Sequence, residues 1–373
     1  MRTLVLTVAE RSQAVRAIVR GGKKRGHTML IVDPMRMNLL ISNKSSGYDR
    51  IYLTKEDTIT RVNMKDVDAI IPRIGQHVNY SSFIVDHLSN NLGIYSTQSA
   101  EGILNAANKL RTLQICSDAG IPTPRTIGIN VNSPLTSLIE KIGGFPIVIK
   151  LLHGSGGEGV ALLRDKSSAI STIQSLMKAR TGILLQEYIN SGGKDYRVIV
   201  MGNKVVVSYQ RSAPRGEIRT SLQIGGQGTP VNLSEEDLSI CIRAAKATGL
   251  SIAGVDLIKD HSGKPYVIEV NSNFGFRVEK ITGVDVADYI IRYVESNYEK
   301  VTERYNLRSL LNENHKLRNR LDLISQDQHL CSICKQVKRN QVNPREQSSN
   351  QLLLQDISSI LKLYQYHSPF LLK

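Results

Sequence analysis

Short apolar runs alternate with amphipathic stretches through the first hundred residues. Leu4–Val8 is a β-branched apolar run that predicts a strand, and Arg11–Lys24 repeats its apolar positions at helical spacing before Gly26. Thr28–Val32 predicts a second strand closed by Asp33-Pro34, and Val67–Ile71 a third that ends at Pro72-Arg73-Ile74-Gly75. Ser82–Leu92 reads as a helix stopped by Gly93. Strand–helix alternation of this kind predicts a parallel sheet with helices on both faces. Arg73 would then sit at a strand's carboxyl end, where open α/β sheets bind their ligands.

Ser99–Ala119 predicts one further helix carrying Asn108-Lys109-Leu110-Arg111, and Gly120-Ile121-Pro122-Thr123-Pro124 marks a boundary. A second module starts with the strand Pro146-Ile147-Val148-Ile149-Lys150 and a glycine loop. It continues through a helix over Ser167–Lys178 and a strand over Ile183–Tyr188. A third holds strands around Tyr196–Val200 and Val205–Tyr209, a helix over Ser234–Thr248, a hairpin, and a closing helix over Val286–Tyr298. Beyond residue 299 helical periodicity weakens; 325–350, rich in Gln, Asn and Ser, reads as a linker and 351–363 as a short amphipathic helix. The expected domains are 1–97, 98–189 and 190–298, with a helical to poorly ordered basic tail over 299–373.

A chain of 373 residues exceeds one hydrophobic core, consistent with several domains. Its hydrophobic fraction of 41% and charged fraction of 22% are those of an ordinary globular protein. Apolar runs stay well short of the roughly 18 residues that span a bilayer, so no membrane partner is expected. Four cysteines make no disulfide framework, which points to a reducing, cytoplasmic home. The formal charge is +15, of which the tail's twelve basic and seven acidic side chains supply +5. So broad an excess attracts polyanions, whether nucleotide, acidic peptide or RNA. In the tail, His329-x-Cys331-x-x-Cys334 lacks the second ligand pair of a zinc site, and Cys116 and Cys241 read as core residues.

The hairpin of the third module carries the sharpest chemical signal. Gly254-Val255-Asp256-Leu257-Ile258 and Tyr266-Val267-Ile268-Glu269-Val270-Asn271 flank a polar Gly/Pro turn. Alternation puts Glu269 and Asn271 on one face, and hairpin pairing sets Asp256 beside them. Two carboxylates and an amide oxygen suit a hard cation, and magnesium completes its shell with water and phosphates.

Upstream, Lys150 precedes His153-Gly154-Ser155-Gly156-Gly157-Glu158-Gly159, whose backbone N–H groups can converge on an anion. Gln186-Glu187-Tyr188-Ile189 could lay main-chain groups against an adenine edge, with Asp195 or Glu187 taking ribose hydroxyls. Arg211, Arg215 and Arg219 read as a flexible arginine loop, since Pro214 and Gly216 oppose a helix. Lys109, Lys150, the glycine loop, the arginines and the acidic trio together point to a triphosphate site.

The order of Lys150 and its glycine loop, Gln186-Glu187-Tyr188-Ile189, Asp195-x-Arg197, Arg219, Gly254-Val255-Asp256 and Glu269-x-Asn271 resembles the ATP-grasp superfamily. Pro72-Arg73-Ile74-Gly75, Asn108-Lys109-Leu110-Arg111 and Ile281-Thr282-Gly283-Val284-Asp285 resemble its RimK-type α-L-glutamate ligases. The resemblance covers roughly residues 1–298. It implies an α/β fold, with an N-terminal Rossmann-like pre-ATP-grasp domain followed by a two-lobed α+β ATP-grasp module.

It also implies an ATP-dependent carboxylate–amine ligase that forms an acyl phosphate. Such an enzyme adds an amino acid, glutamate by the family's example, to a small carboxylic acid or to the C-terminus of a peptide or protein such as a ribosomal protein. Carried over, Lys109, Lys150, Gly156 and Gly157 hold ATP phosphates, Glu187 and Tyr188 the adenine strand, and Asp195 the ribose side. Arg219, with Lys150, acts on the transferring phosphate, while Asp256, Glu269 and Asn271 bind two Mg2+ (or Mn2+). The family also suggests a homo-oligomer. This chain has Arg219-Thr220-Ser221 where the family often has Arg-Ser-Asn. The competing expectation, from the basic charge, is a nucleotide-gated binder of RNA or ribosomes without ligase turnover.

Overall fold

The computed structural model describes residues 1–41, 51–154, 158–179 and 182–298. Gly156 and Gly157, and the tail with His329, Cys331 and Cys334, lie outside the described residues.

The first sheet follows the apolar pattern. Strand β1 (Arg2–Leu6) leads into helix α1 (Gln13–Lys24) and back to β2 (Thr28–Val32). Ser12 caps α1 by accepting from Val15 N, and the helix buries Ala14, Val15, Ala17 and Ile18. A small antiparallel sheet of β3 (Met37–Leu39), β4 (Ile51–Lys55) and β5 (Thr58–Arg61) intervenes. Sequence pattern did not announce it, because its strands are short and β5 is exposed throughout. Strand β6 (Ala69–Pro72), helix α2 (Val78–Asp86) and strand β7 (Tyr95–Ser96) complete this region. The helix expected over Ser82–Leu92 starts earlier, after a left-handed His77, and closes in a wide turn over His87–Asn91.

The parallel order is β2-β1-β6-β7. From β1 the chain winds outward through β2, then returns to β6 on the other side. The winding therefore reverses between β1 and β6.

The single helix expected over Ser99–Ala119 is two, α3 (Ala100–Ala107) and α4 (Lys109–Asp118). Asn108 leaves the helical region at φ −115° and ψ 110°, and its side chain accepts from the Leu110 and Arg111 N–H groups. An Asn that can cap a new helix competes well with one that continues the old, and here the cap wins.

The second sheet is antiparallel, ordered β10-β9-β11-β8, from β8 (Thr126–Ile129), β9 (Ile147–Leu151), β10 (Val160–Leu163) and β11 (Ile183–Glu187). Helices α5 (Leu135–Lys141) and α6 (Lys166–Lys178) accompany it, with Ala169 and Ile173 of α6 packed on Ile147, Ile149 and Leu185. Strand β8 and helix α5 fall in a segment the sequence left without elements.

The third sheet, ordered β14-β13-β12-β15-β16, is antiparallel. It comprises β12 (Lys194–Met201), β13 (Lys204–Ser212), β14 (Gln227–Pro230), β15 (Ile252–Lys259) and β16 (Pro265–Asn271). Helix α7 (Glu235–Ala247) opens on a capping box between Ser234 and Asp237. It covers one face with Ile240, Cys241, Ala244 and Ala245 against Val198, Val255, Leu257, Val267 and Val270. Period-2 alternation then sends Asp195, Arg197 and Asp256 to the opposite face. Helices α8 (Arg277–Thr282) and α9 (286–298) follow. Among the described residues, no helix is long and apolar enough to cross a membrane.

Helix α3 docks closely on the turn between α7 and β15: a Cβ on Gly102 would lie 2.4 Å from Gly249 O. In an exposed helix, Gly→Ala would stabilise by about 1 kcal/mol. Here G102A should instead destabilise by about 1–3 kcal/mol, because backbone cannot retreat as a side chain would. Chemical denaturation midpoints check the sign.

Candidate active site

A cavity of about 240 Å³ opens between the second and third sheets. Its walls include Lys109, Lys150, Glu187, Tyr188, Asp195, Arg219, Asp256 and Glu269, and Gly154 and Glu158 border it. Of the residues expected to form the site, Asn271 is not in the cavity wall, and Gly156 and Gly157 lie outside the described residues.

Strand register explains the convergence. Asp256 pairs directly with Glu269, and Gly254 with Asn271. A register shift after Asp256 pairs Leu257 with Val267, so Ile268 is the extra residue of a bulge and lines the cavity beside Glu269. Across the other edge of β15, Asp256 pairs with Arg197, which pairs with Tyr209. Asp195 pairs with Arg211 two residues along.

Buried charges on this face alternate in sign. Arg197 grips both oxygens of Asp256, with Nη2 donating to Oδ2 at 2.7 Å. Arg211 Nη2 lies 3.0 Å from Asp256 Oδ2. The same guanidinium donates to Asp195 through Nε (2.7 Å) and Nη2 (2.6 Å), and Thr220 Oγ1 adds a bond to Asp195 Oδ2 at 2.5 Å. Burial alone would raise the Asp256 carboxyl, but Arg197 and Arg211 overcome it and hold the group below its usual range. At Asp195 burial wins, and its carboxyl titrates above the ordinary value despite Arg211. The Arg211 guanidinium is held well above normal: burial opposes its charge, and the Asp256 and Asp195 carboxylates prevail.

Two lysines face this row. The α3–α4 break points Lys109 inward, its backbone N–H donating to Leu152 O at 3.1 Å. Lys109 Nζ donates to Gly154 O at 2.7 Å and lies 3.4 Å from Glu269 Oε1. Lys150, on β9, has its ammonium pushed down to about 8 by burial, against the pull of Glu269 and with the push of Lys109. Arg219 is anchored by Glu217 at 2.6 Å, and that hydrogen bond draws the Glu217 carboxyl down to about 2. The Glu187 carboxylate turns to Arg125, accepting from its backbone N–H (2.7 Å) and Nε (2.6 Å).

The donor set fits magnesium. All three candidate ligands offer oxygen; Asp256 shares lone pairs with both Arg197 and Arg211 and keeps acceptor capacity on Oδ1, which only Arg197 engages. Asn271 Nδ2 donates to Gly254 O at 3.3 Å, which leaves Oδ1 as the amide's unengaged acceptor. Among the described residues, no group of three His, Cys, Asp or Glu could hold a metal ion, and the candidate set is two carboxylates and one amide.

The arginine loop is corrected in part. Arg211 belongs to β13 and is committed to the buried acids, while Arg215 is exposed and outside the cavity wall. The counter-charge roles of Arg197 and Arg211 escaped the sequence, since they depend on cross-strand register. The Asp195-x-Arg197 spacing, with both residues on one strand face, was the available signal.

Three principal sheets and one small one, with a cavity between two of the principal sheets lined by lysines, arginines and paired acids, are the arrangement of an ATP-grasp ligase, and the family matches agree. Residues 1–103 match the RimK pre-ATP-grasp domain and residues 106–294 the RimK-like ATP-grasp domain. The chain is 37% identical over 302 residues to a probable alpha-L-glutamate ligase 1 of Shewanella amazonensis, spanning 80% of this chain and 97% of that protein. It is 36% identical over 299 residues to a probable alpha-L-glutamate ligase of Nitrosococcus oceani, covering 80% and 96%.

Among solved structures, the ATP-grasp ligase PsnB with a minimal precursor aligns at TM-score 0.62 and 18% identity, covering 79% of this chain and 98% of that one. The D-alanine–D-alanine ligase of Bacillus anthracis complexed with ATP aligns at 0.59 and 18%, covering 82% and 99%. These two share the fold. The chain belongs to the RimK-type ATP-grasp family and is a ligase enzyme.

Removing one partner of a buried charge pair leaves the other uncompensated. Arg211→Met should therefore lower unfolding stability by about 3–5 kcal/mol, read by denaturant titration. A change near zero would show that Asp195 and Asp256 do not need this cation.

Proposed function

We propose that the chain uses ATP to activate a substrate carboxylate as an acyl phosphate, then joins it to the amine of an amino acid. Glutamate is the proposed amino acid, and a small carboxylic acid or the C-terminus of a peptide or protein, such as a ribosomal protein, is the proposed acceptor. The relatives named probable alpha-L-glutamate ligases support this choice. The observation that carries the mechanism is the direct Asp256–Glu269 pairing with Lys109 3.4 Å from Glu269 and Lys150 in the same cavity.

In this reading a carboxylate oxygen attacks the terminal phosphorus and ADP leaves. The amine nitrogen then attacks the acyl carbon, expelling phosphate and giving up a proton. Lys109 and Lys150 neutralise nucleotide phosphates, joined by the Gly156–Gly157 loop, while Arg219 meets the charge of the transferring group. Asp256, Glu269 and Asn271 would hold two Mg2+ (or Mn2+), which supply charge neutralisation and alignment of phosphate oxygens. The main chain at Glu187 and Tyr188 faces the base, because the Glu187 carboxylate is committed to Arg125. Asp195 acts on the nucleotide through Arg211 and Thr220, which occupy both its oxygens. Water exclusion matters here, since an acyl phosphate hydrolyses.

The domain limits 1–97, 98–189 and 190–298 fit this proposal, one principal sheet falling within each. No arrangement among the described residues favours the RNA-binding alternative.

Glutamate-dependent phosphate release, measured with dicarboxylates and acidic peptides as acceptors, tests the reading. Glu269→Gln should lower ADP formation about 100-fold or more while the circular dichroism spectrum is kept. Normal turnover in that variant would remove the metal assignment, and turnover with another amino acid alone would reassign the added residue.

A further inference from the structure

Arg73 is 4% exposed, and no carboxylate among the described residues pairs with it. Arg211, the comparably buried arginine of the third sheet, and the less buried Arg197 beside it each hold an acid. Phe274 and Phe276 pack their rings on its guanidinium, each centroid 5.3 Å from Cζ. Its Nη2 donates to the Phe274 carbonyl, and its Nε is sealed from solvent without an acceptor. Nη1 is thus the one guanidinium nitrogen neither bonded nor sealed. Burial draws the group down to about 10, which leaves it a cation at neutral pH. Burying an unpaired charge is costly, and two ring faces return only part of the lost hydration.

Its place in the fold is equally specific. The Arg73 N–H donates to Leu6 O at 2.8 Å, which sets the residue at the carboxyl ends of β1 and β6. These are the strands between which the winding of the parallel sheet reverses, the crevice where open α/β sheets bind ligands. Phe274 follows the metal-type Asn271 by three residues, and Gly75 approaches Asn273 so closely that a Cβ would lie 2.8 Å from Nδ2.

Resting on the ligase reading above, we propose that Arg73 is a receptor for a substrate carboxylate, its fixed guanidinium edge receiving an anion that the described residues do not supply. The planar fork suits a carboxylate, and the aromatic clamp fixes its orientation before substrate arrives. The carboxylate comes from the incoming amino acid or from the acceptor, and two probes separate these sources.

Isothermal titration of the full chain, with magnesium and a non-hydrolysable ATP analogue, is performed with L-glutamate and with a short glutamate-terminated peptide. Arg73→Lys keeps the charge and loses the fork; affinity for one probe should fall about tenfold or more, while nucleotide affinity stays within about twofold. The probe that weakens identifies the source. Equal affinities in Arg73→Lys and the parent, or a parent that binds neither probe, would overturn the receptor. Should Arg73→Lys fail to fold, Phe276→Leu decides: it frees the guanidinium plane and should weaken the same probe, and an unchanged affinity counts against the proposal. A parent that binds a probe in this titration, yet forms no ADP when the same probes are supplied with ATP and magnesium in a separate turnover assay, refutes the ligase reading and leaves the receptor standing.

Discussion

Three buried charges on one sheet face, Asp256, Arg211 and Asp195, with the half-buried Arg197, exist only because each compensates another. A lone carboxylate in this position would protonate, and a lone guanidinium would oppose folding. Bidentate contacts on Asp256 and Asp195 turn that liability into a rigid ionic layer. The layer is tolerated because the opposite face of the same strands packs Val198, Val255, Leu257, Val267 and Val270 on α7. Asp256 stays ionised as a result, which is the state a magnesium ligand must have.

Around this layer the N-terminal region is fastened at several points. Gln98 Nε2 donates to Ile252 O (3.0 Å) and Ser272 O (2.8 Å), bridging the start of β15 and the residue that follows β16. Gly102 lies against Gly249, and Arg73 against Phe274. Through these contacts α3 has a fixed end, and the break at Asn108 then aims Lys109 at Glu269. One residue leaving the helical region therefore decides where Lys109 points. The same contacts tie the parallel sheet to the segment that follows Asn271.

Much of the site was legible because its residues stand in short, strongly patterned segments. Asp256, Glu269 and Asn271 interrupt apolar strands, and Lys150 ends one before a glycine loop. Less was visible where meaning depends on a partner distant in sequence. Arg211 looked like part of a loop because Pro214 and Gly216 follow it, yet it pairs with Asp195 in a ladder. Glu187 was one of two candidates for the ribose hydroxyls, and only the structure shows its carboxylate paired with Arg125, 62 positions away. The small β3–β5 sheet and strand β8 were missed because short, half-exposed strands carry little apolar pattern.

Local pattern alone determined the parallel first sheet, the helices with strong caps, and the hairpin that presents two acids and an amide on one face. These follow from side-chain periodicity and turn chemistry, which act within a few residues. Tertiary structure decided which arginine neutralises which acid, where one long helix breaks in two, and which buried cation has no anion among the described residues. Those outcomes depend on strand register and on desolvation by elements far along the chain, and neither is written in any local run of residues.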